Sequence, residues 1–302
     1  MTMSAEPGIV WLASFLKSGN TWFRIFLANL AAGERGPVDI NNLDERVNIA
    51  SSRHEFEAAT MLDSGLLSDD DIDDLRARVY QCAAGNAGDL RWVKVHDAYT
   101  YTAAGEPLLG RDTARAAVYL VRDPRDVAVS LAHHLNTTID AAIKLMNAAD
   151  GALGQRGKGL ASQLRQKLLG WSGHVTSWLD QTDVAVHMVR YEDLRADPAA
   201  GFGAALRFAQ MPATAAEIDR AIRHADFAEL QRQESEKGFA ERTSRTAPFF
   251  RSGRAGGWRE VLTAEQAAAI EECHGPLMNR LGYPTDARSN CYVPATALNG
   301  AH

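Results

Sequence analysis

Four clusters of charged and hydrogen-bonding side chains stand out in the 302-residue chain: Lys17-Ser18-Gly19-Asn20-Thr21, Lys94 with His96, Arg122-Asp123-Pro124-Arg125-Asp126, and Arg190-Tyr191-Glu192-Asp193. Their residue types suit the handling of anions. Lysine and arginine supply positive charge, and the arginine fork matches the oxygens of a phosphate-like group. Serine, asparagine and threonine add neutral donors, and histidine can take a proton near neutral pH. Lys17, Lys94 and Arg122 together describe a pocket for a ligand with several negative groups. Each cluster also has a plainer explanation. Ser18 to Thr21 can simply start a helix capped by Asn or Thr, and polar residues gather at strand ends because loops are exposed.

The elements that position these clusters follow from hydrophobic periodicity. From Ile9 an apolar run of strand length breaks at Lys17, then Trp22, Ile25, Phe26 and Leu30 continue at helical spacing. In such a βα unit the first helical N–H groups and the helix dipole favour an anion at the turn. Arg91 to His96 reads as a second strand. Ala116 to Val121 reads as a third, ending at Arg122, with Pro124 opening a helix along Val127, Leu131 and Leu135. Val184 to Val189 runs into Arg190, with helices around 198–210 and 214–225 and a last one from Thr263 to Leu281. The acidic run Asp69-Asp70-Asp71 reads as a helix start rather than a metal site. Strand and helix in alternation predict an α/β fold with a largely parallel sheet, whose ligands collect at the carboxyl ends of its strands. All four clusters fall at such ends. Residues 38–65 read as loop with a short helix, 136–165 and 231–257 as mobile loops, and the tail from about 284 as frayed. No linker divides the chain, so a single domain over 1–302 is expected.

Composition excludes several classes. Hydrophobic residues make up 46%, enough for a substantial core, and the net charge of −6 argues against nucleic acid or an anionic membrane as partner. Cys82, Cys273 and Cys291 are widely spaced and odd in number, which speaks for a reducing compartment and against a disulfide framework or zinc site. With no signal-peptide pattern and no membrane-length apolar stretch, the expected location is cytoplasmic. His133-His134 are adjacent on a helix and diverge, so no metal is expected there.

Four motifs in order carry a family resemblance. Lys17-Ser18-Gly19-Asn20-Thr21-Trp22 resembles the phosphosulfate-binding loop of the cytosolic-type sulfotransferases. Lys94-Val95-His96 resembles their catalytic strand end, Arg122 to Asp126 with Ser130 their 3′-phosphate segment, and Arg251-Ser252-Gly253 through Trp258-Arg259 their late loop. The resemblance implies a P-loop NTPase-like parallel sheet flanked by helices on both faces. It also implies 3′-phosphoadenosine 5′-phosphosulfate (PAPS) as co-substrate, with the sulfuryl group moved to an acceptor hydroxyl, a phenol or alcohol, without a metal. By position, Lys17, Ser18, Gly19, Asn20 and Thr21 would cradle the 5′-phosphosulfate. Arg122, Ser130, Arg251, Ser252 and Gly253 would hold the 3′-phosphate. Trp22 and Phe227 would stack on adenine, and Tyr191 would bond its edge. His96 would be the base, with Lys17 and Lys94 stabilising the transferring group.

The pattern looks closer to bacterial members of the family, some of which act on secondary metabolites, so a small-molecule acceptor is expected. Ser252 and Gly257 depart from the family's usual Lys and Asp, and Asp97 after His96 suggests a cationic or polar acceptor. Of the family's dimer motif only Thr263 matches, leaving monomer or homodimer open. A P-loop small-molecule kinase would need G-x-x-x-x-G-K-[ST], which is absent. A non-catalytic module binding adenosine 3′,5′-bisphosphate would need no His96.

Overall fold

The apolar run after Gly8 is a central strand. In β1 (Gly8–Ser14) every residue from Ile9 to Ser14 is buried. Its alternating side chains feed two cores, Ile9, Trp11 and Ala13 on one face and Val10 and Leu12 on the other. The structure, a computed structural model, describes residues 8–43, 47–85, 88–154, 161–242 and 248–285. After β1 come α1 (Asn20–Ala32), β2 (Val47–Ile49), α2 (Arg53–Thr60), α3 (Asp69–Gly85), β3 (Leu90–Val95), β4 (Ala114–Val121), α4 (Pro124–Leu135) and α5 (Ile139–Asn147). The chain continues through β5 (Ala152–Leu153), β6 (Gln166–Lys167), α6 (Gly170–Leu179), β7 (Val186–Arg190), α7 (Tyr191–Ala196), α8 (Pro198–Phe208), α9 (Ala215–His224), α10 (Phe227–Lys237) and α11 (Ala264–Arg280).

Among the described residues five strands form one sheet in the order β2-β3-β1-β4-β7, and each neighbouring pair is parallel. Helices cover both faces. On one, Phe23 and Phe26 of α1 pack with Phe202 and Leu206 of α8, the Phe26 and Phe202 rings stacked with centroids 3.8 Å apart. On the other, Trp171 and Trp178 of α6 pack with Val127 and Leu131 of α4 and Ile270 and Met278 of α11. Because the strands are parallel, their carboxyl ends share one edge. The chain turns to opposite sides of β1 to make β3 and β4, so the crevice at that edge opens beside the end of β1.

Three stretches differ from the sequence expectation. Within 136–165, α5 replaces a loop: Thr138 caps it by accepting from the Ala141 N–H, and Ala142, Ile143 and Met146 are buried. The residues after it form a two-stranded antiparallel pair, β5 with β6. Within 231–257, α10 runs on to Lys237, and two of its three buried residues are polar, Gln233 and Glu234, so no apolar stripe announces it. Between 38 and 65 the short helix is α2, and β2 adds an edge strand. Residues 155–160 and 243–247, the tail beyond 285, and Cys291 lie outside the described residues.

Candidate functional site

The loop between β1 and α1 is built to leave donors exposed. Lys17 sits at φ 62° and Gly19 at φ 102°, left-handed conformations that turn the chain sharply. A side chain at Gly19 would lie 2.8 Å from the Tyr191 ring, so glycine is required there on two counts. Among the described residues no side chain caps α1, and no acidic residue stands in its first turn. Its N-terminal N–H groups are therefore available to an anion. Asn20 fixes the loop from below, its Nδ2 donating to the Leu12 carbonyl at 3.0 Å and to Ser14 Oγ at 3.2 Å.

One cleft at this edge is lined by Lys17, Gly19, Asn20, Thr21, Trp22, Lys94, His96, Arg122, Ser130, Tyr191, Phe227, Arg251, Ser252 and Gly253. Thus every residue expected from the sequence lines it except Ser18, which is buried beneath the loop with its Oγ unpartnered among the described residues.

At the end below β1 and β3, His96 Nδ1 lies 2.8 Å from the Ser14 carbonyl oxygen. A carbonyl can only accept, so Nδ1 carries the hydrogen and Nε2 keeps its lone pair. Burial, and then the charge of Lys94, push the His96 pKa well below its ordinary value, which keeps the ring neutral at pH 7. The backbone behind it is pinned. His174 Nε2 donates to the His96 carbonyl at 3.1 Å, and Tyr119 OH donates to His174 Nδ1 at 2.8 Å. Lys17 is pushed down to about 7, by burial first and then by Arg122 and Lys94, and its Nζ rests 3.9 Å from the centroid of the Phe249 ring. Asp97 does not face an acceptor. It is wholly buried, paired with both terminal nitrogens of Arg76 at 3.1 and 2.7 Å, so its charge serves the interior.

The remaining loops close over the other end. Arg122 donates from Nη1 to the Lys17 carbonyl at 3.3 Å and from Nη2 to the Arg254 carbonyl at 3.0 Å, tying two loops together. Its Nε has no partner among the described residues. Asp126 accepts from the backbone N–H groups of Gly256 at 2.6 Å and Trp258 at 2.9 Å, clamping the late loop onto α4. Arg125, by contrast, is buried and binds Asp123 and Glu271, which docks α11. Trp22 donates from its indole to the Ala225 carbonyl at 3.0 Å, two residues before Phe227, so the two rings are held near one place. The Tyr191 hydroxyl donates to the Gly253 carbonyl at 3.1 Å, leaving its oxygen as an acceptor for a ligand N–H.

With this geometry in place, comparison with known proteins is decisive at the level of family. The sulfotransferase domain matches residues 7–282. The chain belongs to the sulfotransferase domain family. Cytosolic sulfotransferase 17 of Arabidopsis thaliana is 23% identical over 283 residues, covering 88% of this chain and 73% of its own. Among solved structures, retinol dehydratase in complex with retinol and PAP superposes with a TM-score of 0.59 at 20% identity, covering 97% of this sulfotransferase and 85% of that chain. Mouse sulfotransferase SULT7A1 complexed with PAP gives 0.54 at 18% identity, covering 90% and 85%. These likenesses bear out the parallel sheet flanked by helices on both faces. Among the described residues, no helix is long and apolar enough to cross a membrane, and no group of three or more His, Cys, Asp or Glu is placed to hold a metal.

Among the residues of this sulfotransferase's cleft to which sequence reasoning gave no role are Glu241, His134 and Phe249. Glu241 and Phe249 come from the polar segment after α10, which has no periodicity to place them. His134, lowered to about 4 by burial and then by Lys17 and Lys94, was visible only as half of a histidine pair.

Proposed function

We propose that this sulfotransferase binds PAPS in the cleft and transfers its sulfuryl group to a small-molecule hydroxyl, with His96 as base. The observation that carries the reading is the His96 ring, neutral, with Nδ1 fixed on Ser14 and Nε2 left as an acceptor, in the same cleft as Lys17 and the uncapped start of α1. The cleft suits the nucleotide. Arg122, which lines the cleft and whose Nε has no partner among the described residues, matches the needs of phosphate oxygens, and Trp22 and Phe227 offer ring faces for a base.

In the reaction, the acceptor oxygen forms a bond to sulfur while the bond from sulfur to the bridging phosphate oxygen breaks. His96 Nε2 takes the acceptor's proton as that attack begins. Lys17 and the α1 N-terminus stabilise the negative charge left on the departing phosphate oxygen, and Lys94 faces the transferring group. Arg122 with Ser130 and the 251–253 backbone holds the 3′-phosphate, and Tyr191 accepts from the base edge. The acceptor class we propose is a phenol or alcohol; Asp97, buried against Arg76, takes no part in binding it.

The test is transfer of labelled sulfur from PAPS to a panel of phenols and alcohols. Wild-type protein labels at least one acceptor, and His96→Ala lowers that rate by about 10²–10⁴. Equal labelling by the variant removes His96 from the chemistry, and failure of wild type to label any acceptor while hydrolysing or binding ATP overturns the reading.

A further inference from the structure

The Lys94 ammonium has a carboxylate beside it. Its Nζ lies 3.6 Å from Glu241 Oε2, and the other oxygen of Glu241 accepts from Arg24 Nη1 at 2.5 Å. The side chain of Arg24, on α1, is completely buried and that of Lys94 is 10% exposed, whereas Glu241 keeps 26% exposure on the cleft side. Glu241 is therefore anchored through one oxygen to a fixed cation and presents the other to Lys94. Burial opposes its ionisation, yet Lys94 and Arg24 outweigh burial and hold its carboxyl below the ordinary range. It belongs to the segment that also brings Phe249 over Lys17. This segment thus contacts both lysines of the reacting end, one through a ring and one through a charge.

We propose that Glu241 is the resting counter-ion of Lys94: an internal carboxylate that holds the ammonium until the sulfuryl group of the donor displaces it, so that the site distinguishes the sulfated donor from its desulfated product. The inference rests on the nucleotide reading above. PAP carries two phosphates and no sulfuryl, so it fills the Arg122 end and the α1 turn while the Lys94–Glu241 pair stays intact. PAPS adds a negative group at the Lys17 and Lys94 end, where it competes with Glu241 for one ammonium. Breaking a partly buried ion pair opposes binding of the donor alone. After the exchange, the freed Glu241 oxygen faces the acceptor side of the cleft, still neutralised by Arg24.

The experiment measures the Kd of PAP, of PAPS and of AMP, without acceptor, for wild type and Glu241→Gln. Glutamine keeps the shape and an oxygen for Arg24 but loses the charge. PAPS binding is expected to tighten roughly three- to tenfold in the variant while PAP changes by less than about twofold. In a Lys94→Met background the same substitution gives no gain selective for PAPS. Glu241→Asp, whose shorter side chain withdraws from Lys94, shifts PAPS in the same direction and serves if the glutamine variant unfolds. Equal tightening of both ligands, or none, overturns the proposal. A wild type that does not prefer PAP to AMP instead defeats the nucleotide reading, and the two failures are distinct.

Discussion

His96 Nδ1 lies 2.8 Å from a carbonyl that cannot donate, and this single contact fixes which nitrogen is free for chemistry. The residue was legible in the sequence because Lys94-Val95-His96 closes a strand and resembles the family's catalytic strand end. Its tautomer was not, since the Ser14 carbonyl is 82 residues away along the chain. If His96 is the base we propose, His96→Ala should leave PAP affinity within about twofold while turnover collapses. Lys17 makes a second prediction. In the free protein its pKa is lowered to about 7, by burial and by Arg122 and Lys94. A bound anion favours the charged form and raises that value. Binding above pH 7 therefore takes up a proton, so PAP affinity is full below pH 7 and declines above it by up to about tenfold per pH unit. Titrations across that range should show the decline in wild type and a flat response in Lys17→Arg, which stays charged. A flat wild-type curve would mean that Lys17 does not meet the ligand.

The β1–α1 turn and the late loop are two elements tied together by Arg122. In the first, Gly19 is held at φ 102° against the Tyr191 ring. Gly19→Ala should lower stability by about 1–3 kcal/mol and weaken PAP binding, read by chemical denaturation and titration together. In the second, Asp126 accepts two backbone N–H groups of the late loop. Asp126→Ala leaves them unpaired, which should weaken PAP roughly tenfold and speed tryptic cleavage after Arg251 and Arg254. Unchanged cleavage would show that Asp126 does not hold the loop. The turn was readable because an apolar run stopping at Lys17-Ser18-Gly19 is local information. The α10 helix was not, because it directs Gln233 and Glu234 inward to meet other segments: Glu234 accepts from the Phe249 and Phe250 N–H groups, and Gln233 accepts from Ile40 N–H. Inward polar groups with distant partners leave no periodic trace.

Across the molecule, a five-stranded parallel sheet brings four sequence-distant clusters to one edge, and that arrangement was the most legible part of the chain. Strands buried on both faces read as unbroken apolar runs, and their ends are marked where charge begins. What the sequence could not reveal was the direction of each charge. Asp97, one residue from His96, turns into the interior and joins β3's end to α3 through Arg76. Asp97→Ala should strand the buried guanidinium and cost about 3–5 kcal/mol of unfolding free energy. Arg125 likewise turns away from the cleft to dock α11, three residues after Arg122 turns into it. The central claim is that these converging loops form a site for a nucleotide carrying both a 3′- and a 5′-phosphate. Titration of the wild-type protein and Arg122→Ala with adenosine 3′,5′-bisphosphate, AMP and ATP tests it most directly. The account predicts tight binding of the bisphosphate over AMP and ATP, with that preference lost in the variant; ATP binding as well as the bisphosphate, with Arg122→Ala unchanged, would contradict it.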